Sequence, residues 1–301
     1  LLANGVHLIA RSFKYHRPRG ILAAGIDDPS AKVQLIKDGY SEPNVNLTEF
    51  ELVEGLELQS QNCWPSVSVD VGEINNLLNR FFPAGFYYKT FMWPKSFWYS
   101  VYEPFIRKAA GFGVASLDPD PDRYEHQYEH CDVLVVGSGS SGLSSALAAA
   151  KNGARVILAE DKPRFGGSLL TDEVTIGNKK GEEWVDDVVS ELSSMPNVIT
   201  KSRSQVFGYY DHNMLVMFER KRDHLQDPAK FTPREKLWYI RAKEVIISTG
   251  SIERPLVFAN NDRPGIMLAS AAKEYLKVYG VIVGKKPLIF TNNDSAYETA
   301  I

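Results

Sequence analysis

The sequence predicts an α/β fold with a parallel sheet, and the prediction rests on one continuous stretch, residues 132–161. Asp132–Val136 is short, apolar and rich in β-branched residues, as in a buried parallel strand. Gly137, Gly139 and Gly142 follow with the spacing G-x-G-x-x-G, and an Ala- and Leu-rich helical pattern comes next. Strand, glycines and helix in this order predict a Rossmann-like unit that binds a dinucleotide.

Each glycine of this motif has its own purpose. Gly137 allows the tight turn, Gly139 leaves room for a pyrophosphate to approach the backbone, and Gly142 lets the helix pack close to the strand. The helix is predicted over Leu143–Asn152, and the second strand over Arg155–Ala159.

Glu160 stands directly after the second predicted strand. A carboxylate in this place accepts hydrogen bonds from a ribose 2′-OH and repels a 2′-phosphate. Gly166 and Gly167 permit a close backbone turn beside the nucleotide. Lys243–Ser248 is predicted to be a further buried strand, and Thr249–Gly250 ends it. Such a strand and glycine commonly return the chain to the nucleotide site.

Composition limits the class of protein. The chain has 301 residues, which is enough for two domains with separate cores. Its net charge of −3 gives no electrostatic case for nucleic acid, and no apolar run is long enough to span a membrane. Cys63 and Cys131 lie far apart, so neither a disulfide framework nor a thiol redox centre is predicted, and a reducing cytoplasm is expected. No signal peptide is visible, and the sequence is interpreted as a fragment open at both ends.

Three segments before the glycine motif have an unusual composition: one contains a basic cluster, one is rich in aromatics, and one is polar and acidic. Residues 1–60 have the pattern of short strands and turns, and they contain a basic cluster of Arg11, Lys14, Arg17 and Arg19. This cluster either holds an anion or an acidic partner, or is a solvated loop. Residues 81–105 are dense in aromatics, which either fill a core or anchor an interface, and a core is the favoured interpretation. Residues 118–130 are polar and acidic, as in a linker. His126, His130 and Cys131 lack a fourth ligand at matching spacing, so no metal site is predicted.

Beyond the first βαβ unit, the pattern predicts a small antiparallel meander and further helices. The meander strands are expected over Val198–Asp211, Leu215–Arg220 and Leu237–Ala242. Helices are expected over Trp184–Met195 and Leu268–Tyr279, and a buried strand over Lys286–Thr291. A second glycine motif would follow that strand, but Thr291, Asn293 and Ala296 occupy its positions, so no second ligand is assigned.

Several unusual blocks resemble the α subunits of heterotetrameric sarcosine oxidases over nearly the whole chain. The blocks are RSFKYHRPRGI, AGFYYKTFMWP, HCDVLVVGSGSSGL, VFGYYDHN, GSIERPLVFANNDRPGIMLASA and TNNDSAY. The resemblance implies a Rossmann-like FAD/NAD(P)-binding domain with an antiparallel meander, over 131–301, after a ferredoxin-like β-grasp module within 1–117. It also implies that this module has lost its iron–sulfur cluster, because Ala24, Pro29 and Lys32 stand where clustered relatives have cysteines.

The same resemblance implies a cofactor, partners and a reaction. NAD is expected in this chain, and the motif match adds these residues to the contacts: Ser141, Asp161, Lys162, Ser168 and Val206. FAD and FMN are expected on, or at the interface with, a β subunit, with γ and δ subunits completing the complex. The assembled enzyme would oxidise the N-methyl group of sarcosine, giving glycine and peroxide, with tetrahydrofolate bound beyond the residues present here. The resemblance assigns no catalytic residue to this chain.

Two other functions remain open from the sequence alone. One is the FAD-binding subunit of a related amine or opine dehydrogenase, since FAD also offers a ribose 2′-OH to Glu160. The other is a non-catalytic scaffold subunit, against which the intact glycines and Glu160 argue.

Overall fold

The structure is a computed structural model that describes residues 1–37, 40–86 and 91–300. It divides into two compact units. The first contains Leu1–Asp120 together with Glu253–Ile301, and the second contains Pro121–Ile252. The predicted domain 131–301 is therefore divided, and its last part belongs to the first unit.

The first unit contains a small antiparallel sheet that fits a ferredoxin-like module. A short hairpin of Ala10–Arg11 (β1) and Pro18–Arg19 (β2) comes before the strands Lys32–Lys37 (β3), Tyr40–Asn46 (β4) and Glu57–Ser60 (β5). The sheet order is β4-β3-β5. Val33 and Leu35 alternate with more exposed neighbours and pack into the core of this unit, as expected for a half-buried strand. Its helices are Ile74–Leu77, Glu103–Ala110, Ala269–Lys277 and Tyr297–Ala300.

A single buried carboxylate, that of Asp28, organises the loop before β3. Its Oδ2 accepts hydrogen bonds from the N–H groups of Leu22 and Ala23, at 2.7 and 3.0 Å. Its Oδ1 accepts from the N–H groups of Ser30 and Ala31, at 2.8 Å each. One buried side chain thus satisfies four backbone donors in this loop.

The predicted basic cluster contains Arg11, Lys14, Arg17 and Arg19, and the structure corrects the solvated-loop interpretation. The Arg11 side chain is only 3% exposed and forms an ion pair with Glu73 at 3.0 Å. Arg17 and Arg19 both bind the carboxylate of Asp262. Since their charges are used inside the first unit, these residues fasten the hairpin to other parts of that unit.

The aromatic stretch 81–105 does not fill a core, contrary to the favoured interpretation. Phe81, Trp93, Tyr99 and Phe105 are 73, 84, 85 and 69% exposed. Prolines and short helical turns interrupt the segment, so its aromatic side chains do not share one buried face. Residues 87–90 of this stretch lie outside the described residues.

The strand predicted over Lys286–Thr291 is also not formed. This segment contains no helix or strand, and Leu288 and Phe290 are 94 and 67% exposed. A buried parallel strand needs a neighbour to pair with, and no described strand pairs with this segment. The preceding helix is present, over Ala269–Lys277, close to its predicted range.

The second unit is built on a six-stranded mixed sheet, as the predicted fold class requires. Its strands are Tyr124–Val136 (β6), Val156–Ala159 (β7), Val198–Lys201 (β10), Ser204–Tyr210 (β11), Met214–Arg220 (β12) and Glu235–Ile247 (β13), and a separate small hairpin consists of Thr175–Ile176 (β8) and Lys179–Lys180 (β9). The order is β10-β7-β6-β13-β12-β11, with the first four strands parallel. Helices Ser140–Lys151 and Gly181–Ser194 contribute to a core packed around Val135, Leu143 and Leu158.

The predicted linker 118–130 is shorter than expected, because β6 begins at Tyr124. Residues Tyr124–Cys131 pair in parallel with Glu235–Ala242 of β13. That ladder gives the polar segment its backbone partners, which its composition alone does not indicate. The same ladder with β6 continues along the chain. The predicted strands Leu237–Ala242 and Lys243–Ser248 are therefore a single strand, β13.

The predicted first meander strand, Val198–Asp211, is two strands. β10 extends the parallel part of the sheet beside β7, while β11 forms the antiparallel edge with β12. The chain changes direction at Arg203, whose φ of 52° lies in the left-handed region. No helix among the described residues is long and apolar enough to cross a membrane.

Candidate functional site

The glycine-rich turn joins β6 to the helix Ser140–Lys151, as the motif predicts. Gly137 has a φ of 93°, and a Cβ there would clash with the carbonyl oxygen of Ser248. A Cβ on Gly142 would clash with the carbonyl oxygen of Gly137. The tight turn and the close packing of helix and strand both therefore require glycine.

Gly139 differs from the other two because nothing lies within 4 Å of the position that its Cβ would take. Its φ of −65° and ψ of −173° suit any residue. The space beside it lies at the N-terminus of a 12-residue helix that has no side-chain capping hydrogen bond. Free N–H groups and the helix dipole make this a favourable place for the negative charge of a pyrophosphate.

The turn at Gly166 and Gly167 forms a second wall of this space. These residues have φ values of 127° and 54°, which other residues rarely adopt. A Cβ on Gly167 would lie 3.2 Å from the Cα of Gly139, so the two glycine turns approach each other closely. The turn therefore lies beside the glycine motif, and its contact with a nucleotide stays a prediction.

Glu160 follows β7 and reaches the same turn. Its Oε2 accepts hydrogen bonds from the N–H and the hydroxyl of Ser138, at 3.0 and 2.5 Å, and its Oε1 accepts from the N–H of Lys162, at 3.1 Å. Burial raises the pKa of Glu160 to about 7, and the neighbouring Asp161 carboxyl acts in the same direction. The carboxyl group is thus held in place beside the turn before any ligand arrives.

The raised pKa predicts a pH-dependent stability for the second unit. The ordinary value is 4.5, so between about pH 5 and pH 7 the folded state binds more protons at Glu160 than the unfolded state. Stability should therefore fall as pH rises through this window, by up to about 1.4 kcal/mol for each pH unit. The measurement is hydrogen exchange of the Gly137–Gly142 turn in the nucleotide-free, full-length protein, corrected for intrinsic exchange rates. Glu160→Gln, which does not titrate, should remove this dependence, and an equal dependence in both proteins would contradict the assignment.

The other predicted contact residues differ in how exposed they are. Ser141 and Ser168 are exposed, Gly250 is exposed with a φ of 70°, and Val206 packs against the core beneath β11. Asp161 and Lys162 are half-buried. None of these positions is contradicted, and their contacts with a nucleotide remain predictions.

Sequence reasoning missed Ser138 and Arg220. Ser138 is buried, and its hydroxyl donates to Glu160 and also accepts a hydrogen bond from the N–H of Gly166 at 3.0 Å, so it links the two glycine turns directly. The Arg220 guanidinium donates to the carbonyl oxygen of Asp161 at 2.8 Å. The sequence could have indicated Ser138, because its hydroxyl stands at the first variable position of the glycine motif. The Arg220 contact could not be predicted in this way, because it depends on strand pairing.

These features together fit a dinucleotide. Open space at Gly139, an uncapped helix N-terminus and a positioned carboxylate are the elements that bind pyrophosphate and ribose. Among the described residues, no group of three or more His, Cys, Asp or Glu residues could hold a metal ion.

Comparisons with known proteins match both parts of the chain. Residues 132–213 match the family model of FAD-dependent oxidoreductases, and residues 1–63 match that of 2Fe-2S iron–sulfur cluster binding domains. The sarcosine oxidase alpha subunit of Rhizobium meliloti (strain 1021) is 52% identical over 300 residues, which is 100% of this chain and 30% of that protein. Over its whole length, the chain is similar to sarcosine oxidase alpha subunits.

Other similar proteins are more distant. An opine oxidase subunit from Agrobacterium tumefaciens (strain Ach5) is 27% identical over 53% of this chain and 33% of that protein. The solved structure of L-proline dehydrogenase from P. horikoshii has a TM-score of 0.60 at 19% identity, covering 94% of this chain and 43% of that chain. This likeness confirms the predicted fold class.

The match to a cluster-binding domain can be compared with the cysteines of the same residues. A 2Fe-2S cluster is held by four ligands, usually cysteines. Residues 1–63 contain one cysteine, Cys63. The module therefore has the fold of a cluster-binding domain without the thiolates that such a cluster needs, and Asp28 satisfies the loop's backbone donors instead.

Proposed function

We propose that this chain forms the NAD-binding part of an alpha subunit of a heterotetrameric sarcosine oxidase. The observation that carries the proposal is the paired arrangement of open space at Gly139 and a preplaced carboxylate at Glu160, in a chain 52% identical to a protein of that name. The chain spans 30% of the length of that relative, so the activity of the whole protein is part of the proposal.

The chain's own residues bind and orient the nucleotide in this proposal. The helix N-terminus at Gly139 faces the pyrophosphate, and Glu160, held in place by Ser138, accepts hydrogen bonds from the adenosine ribose hydroxyls. Ser141, Asp161, Lys162, Ser168, Val206 and Gly250 complete the proposed contacts. When bound, NAD supplies either a ring that accepts hydride or, as a permanently bound component, structural support.

The proposed reaction of the whole complex is oxidation of sarcosine to glycine. Oxygen is reduced to hydrogen peroxide, and tetrahydrofolate captures the one-carbon unit as 5,10-methylenetetrahydrofolate. FAD and FMN would be carried on, or at the interface with, the β subunit, and γ and δ subunits complete a cytoplasmic heterotetramer. No residue of this chain is assigned as acid, base or nucleophile.

A second candidate is an FAD-binding subunit of an opine-type amine dehydrogenase. The match to an FAD-dependent oxidoreductase model over residues 132–213 and the similarity to an opine oxidase subunit favour it. Glu160 suits either nucleotide, because both have a ribose 2′-OH.

Identification of the bound nucleotide separates these candidates. The full-length subunit is purified in its complex, denatured, and the released nucleotide from this subunit is identified by mass. NAD supports the first proposal, whereas FAD released from the isolated alpha subunit supports the second. A subunit that releases no nucleotide would leave only a scaffold function.

The substrate needs its own assay. Peroxide production with sarcosine is measured for the co-expressed complex and for the isolated full-length subunit. The proposal expects activity in the complex alone. Robust peroxide production by an isolated, flavin-free subunit would contradict the proposal that activity requires the other subunits. Oxidation of a different secondary amine by the complex, without sarcosine activity, would contradict the proposed substrate.

Removal of the Glu160 carboxylate should weaken nucleotide binding. Glu160→Ala loses a charge-assisted hydrogen bond worth about 1.5–3 kcal/mol, so affinity should fall roughly 10- to 150-fold while the fold survives. Nucleotide occupancy per subunit is the measurement. Asp186→Ala, which removes an exposed carboxylate from the same unit, is the matched control and should keep full occupancy. Equal occupancy in the two variants would exclude this function for Glu160.

A further inference from the structure

The first unit contains a cavity of about 380 Å³ that the proposed function does not use. Its walls come from the β1–β2 hairpin, the loop leading to β3, and the loop 255–266. The lining residues that matter here are Phe13, Arg19, Leu22, Lys32, Arg263 and Ile266. Its volume lies in the range of pockets that hold small organic molecules.

The loop that forms one wall is held firmly in place. Arg17 binds the Asp262 carboxylate with two hydrogen bonds of 2.7 Å. A Cβ on Gly20 would lie 2.9 Å from the Cα of Pro264, so the hairpin and the loop touch at a point where only glycine fits. Just beyond the loop, the N–H of Leu268 donates to the carbonyl oxygen of Leu22 at 2.8 Å. The cavity is therefore a built feature of this unit.

In and beside the lining of the cavity, positively charged side chains outnumber negatively charged ones. Arg17 and Arg19 share one carboxylate, that of Asp262. Arg263 and Lys32 have no carboxylate partner among the described residues. Burial and the nearby charges of Arg17 and Arg263 lower the pKa of Arg19 against the attraction of Asp262. The uncompensated cations favour an anion, and guanidinium groups favour a phosphate, which they can bind with two parallel hydrogen bonds.

The rest of the cavity is apolar. Phe13, Leu22 and Ile266 line it, and Phe13 is 42% exposed although its ring packs at 5.0 Å from that of Phe112. An inorganic phosphate would leave this surface uncovered. An organic group attached to the phosphate would bury it, and removing this apolar surface from water favours binding.

We propose that this cavity binds a small phosphomonoester, with its phosphate at Arg19, Lys32 and Arg263 and its apolar or aromatic part against Phe13. The proposed dinucleotide site lies in the second unit, so it assigns no ligand to this cavity. The proposal does not depend on the proposed function, because its residues all belong to the first unit.

The test is calorimetric titration of the full-length protein in its complex, at constant ionic strength because salt screens charge–charge binding. Phenyl phosphate is the main probe, inorganic phosphate lacks its apolar part, and phenol lacks its charge. Phenyl phosphate should bind at least tenfold more tightly than inorganic phosphate, and phenol should not bind. Arg263→Gln and Lys32→Gln should each weaken phenyl phosphate binding about tenfold or more.

Two controls locate the binding. Arg107→Gln removes an exposed arginine of the same unit and should leave affinity unchanged. Gly139→Val, which blocks the proposed pyrophosphate position, should also leave it unchanged. Binding lost in Gly139→Val but kept in Arg263→Gln would place the phosphate at the dinucleotide site and overturn the proposal. Absence of binding, equal affinity for both phosphates, or tighter binding of an acidic Asp/Glu peptide would overturn it as well.

Discussion

Asp28→Ala should destabilise the first unit by on the order of 4 kcal/mol, the largest stability effect expected in this chain. The substitution leaves four backbone N–H groups of Leu22, Ala23, Ser30 and Ala31 without their acceptor in a buried loop. Each buried donor left without a partner costs about 1–3 kcal/mol, and relaxation of the loop reduces the sum. Hydrogen exchange of residues 20–35 in the full-length protein measures the loss directly.

A graded series makes this expectation sharper. Asp28→Asn has the same shape, but one oxygen becomes an NH₂ group that faces two N–H donors, so about half of the effect should appear. Asp27→Ala removes the exposed neighbouring carboxylate and should change stability by no more than about 0.5 kcal/mol. If exchange in Asp28→Ala and Asp28→Asn resembled that in Asp27→Ala, the carboxylate would not organise this loop.

Gly139→Val should abolish nucleotide retention while the second unit stays folded. No atom lies within 4 Å of the Cβ position and the backbone angles suit any residue, so the substitution fits the protein alone. The valine side chain would occupy the space that the proposed pyrophosphate needs. Nucleotide released on denaturation is measured by mass, and exchange protection of the sheet reports on the fold.

Two further variants, both on the helix that follows Gly139, serve as controls for this result. Ser144→Val adds the same side chain at an exposed position and should keep the nucleotide. Gly142→Ala places a Cβ against the carbonyl oxygen of Gly137 and should damage the fold as well as binding. A Gly139→Val protein that retained nucleotide at the wild-type stoichiometry would show that no pyrophosphate lies at this turn.

Local patterns were sufficient for much of this fold. Strand, glycine turn, helix and following carboxylate lie within residues 132–161, and each is defined by its immediate neighbours, so the sequence predicts them well. The geometry at Gly137, Gly142 and Gly167 matches those expectations.

Features that depend on distant partners were not predictable in the same way. Tyr124–His130 is polar enough to resemble a linker and becomes a strand because β13 lies beside it. Asp28 is one acid among many in the sequence, and only the folded loop brings four donors to it. The exposed aromatics of 81–105 show the same limit, because composition does not reveal whether a surface exists for them to pack against.

The discontinuous first unit has a consequence for the order in which the chain folds during synthesis. Ala23 and Ala24 share a core cluster with Leu268 and Ala271, and the Tyr275 hydroxyl donates to the carbonyl oxygen of Ala23 at 3.3 Å. A ribosome delivers the whole second unit, Pro121–Ile252, between these two halves. The first unit therefore completes this core cluster only after the whole second unit has been synthesised, so the two units cannot fold strictly in the order in which they begin.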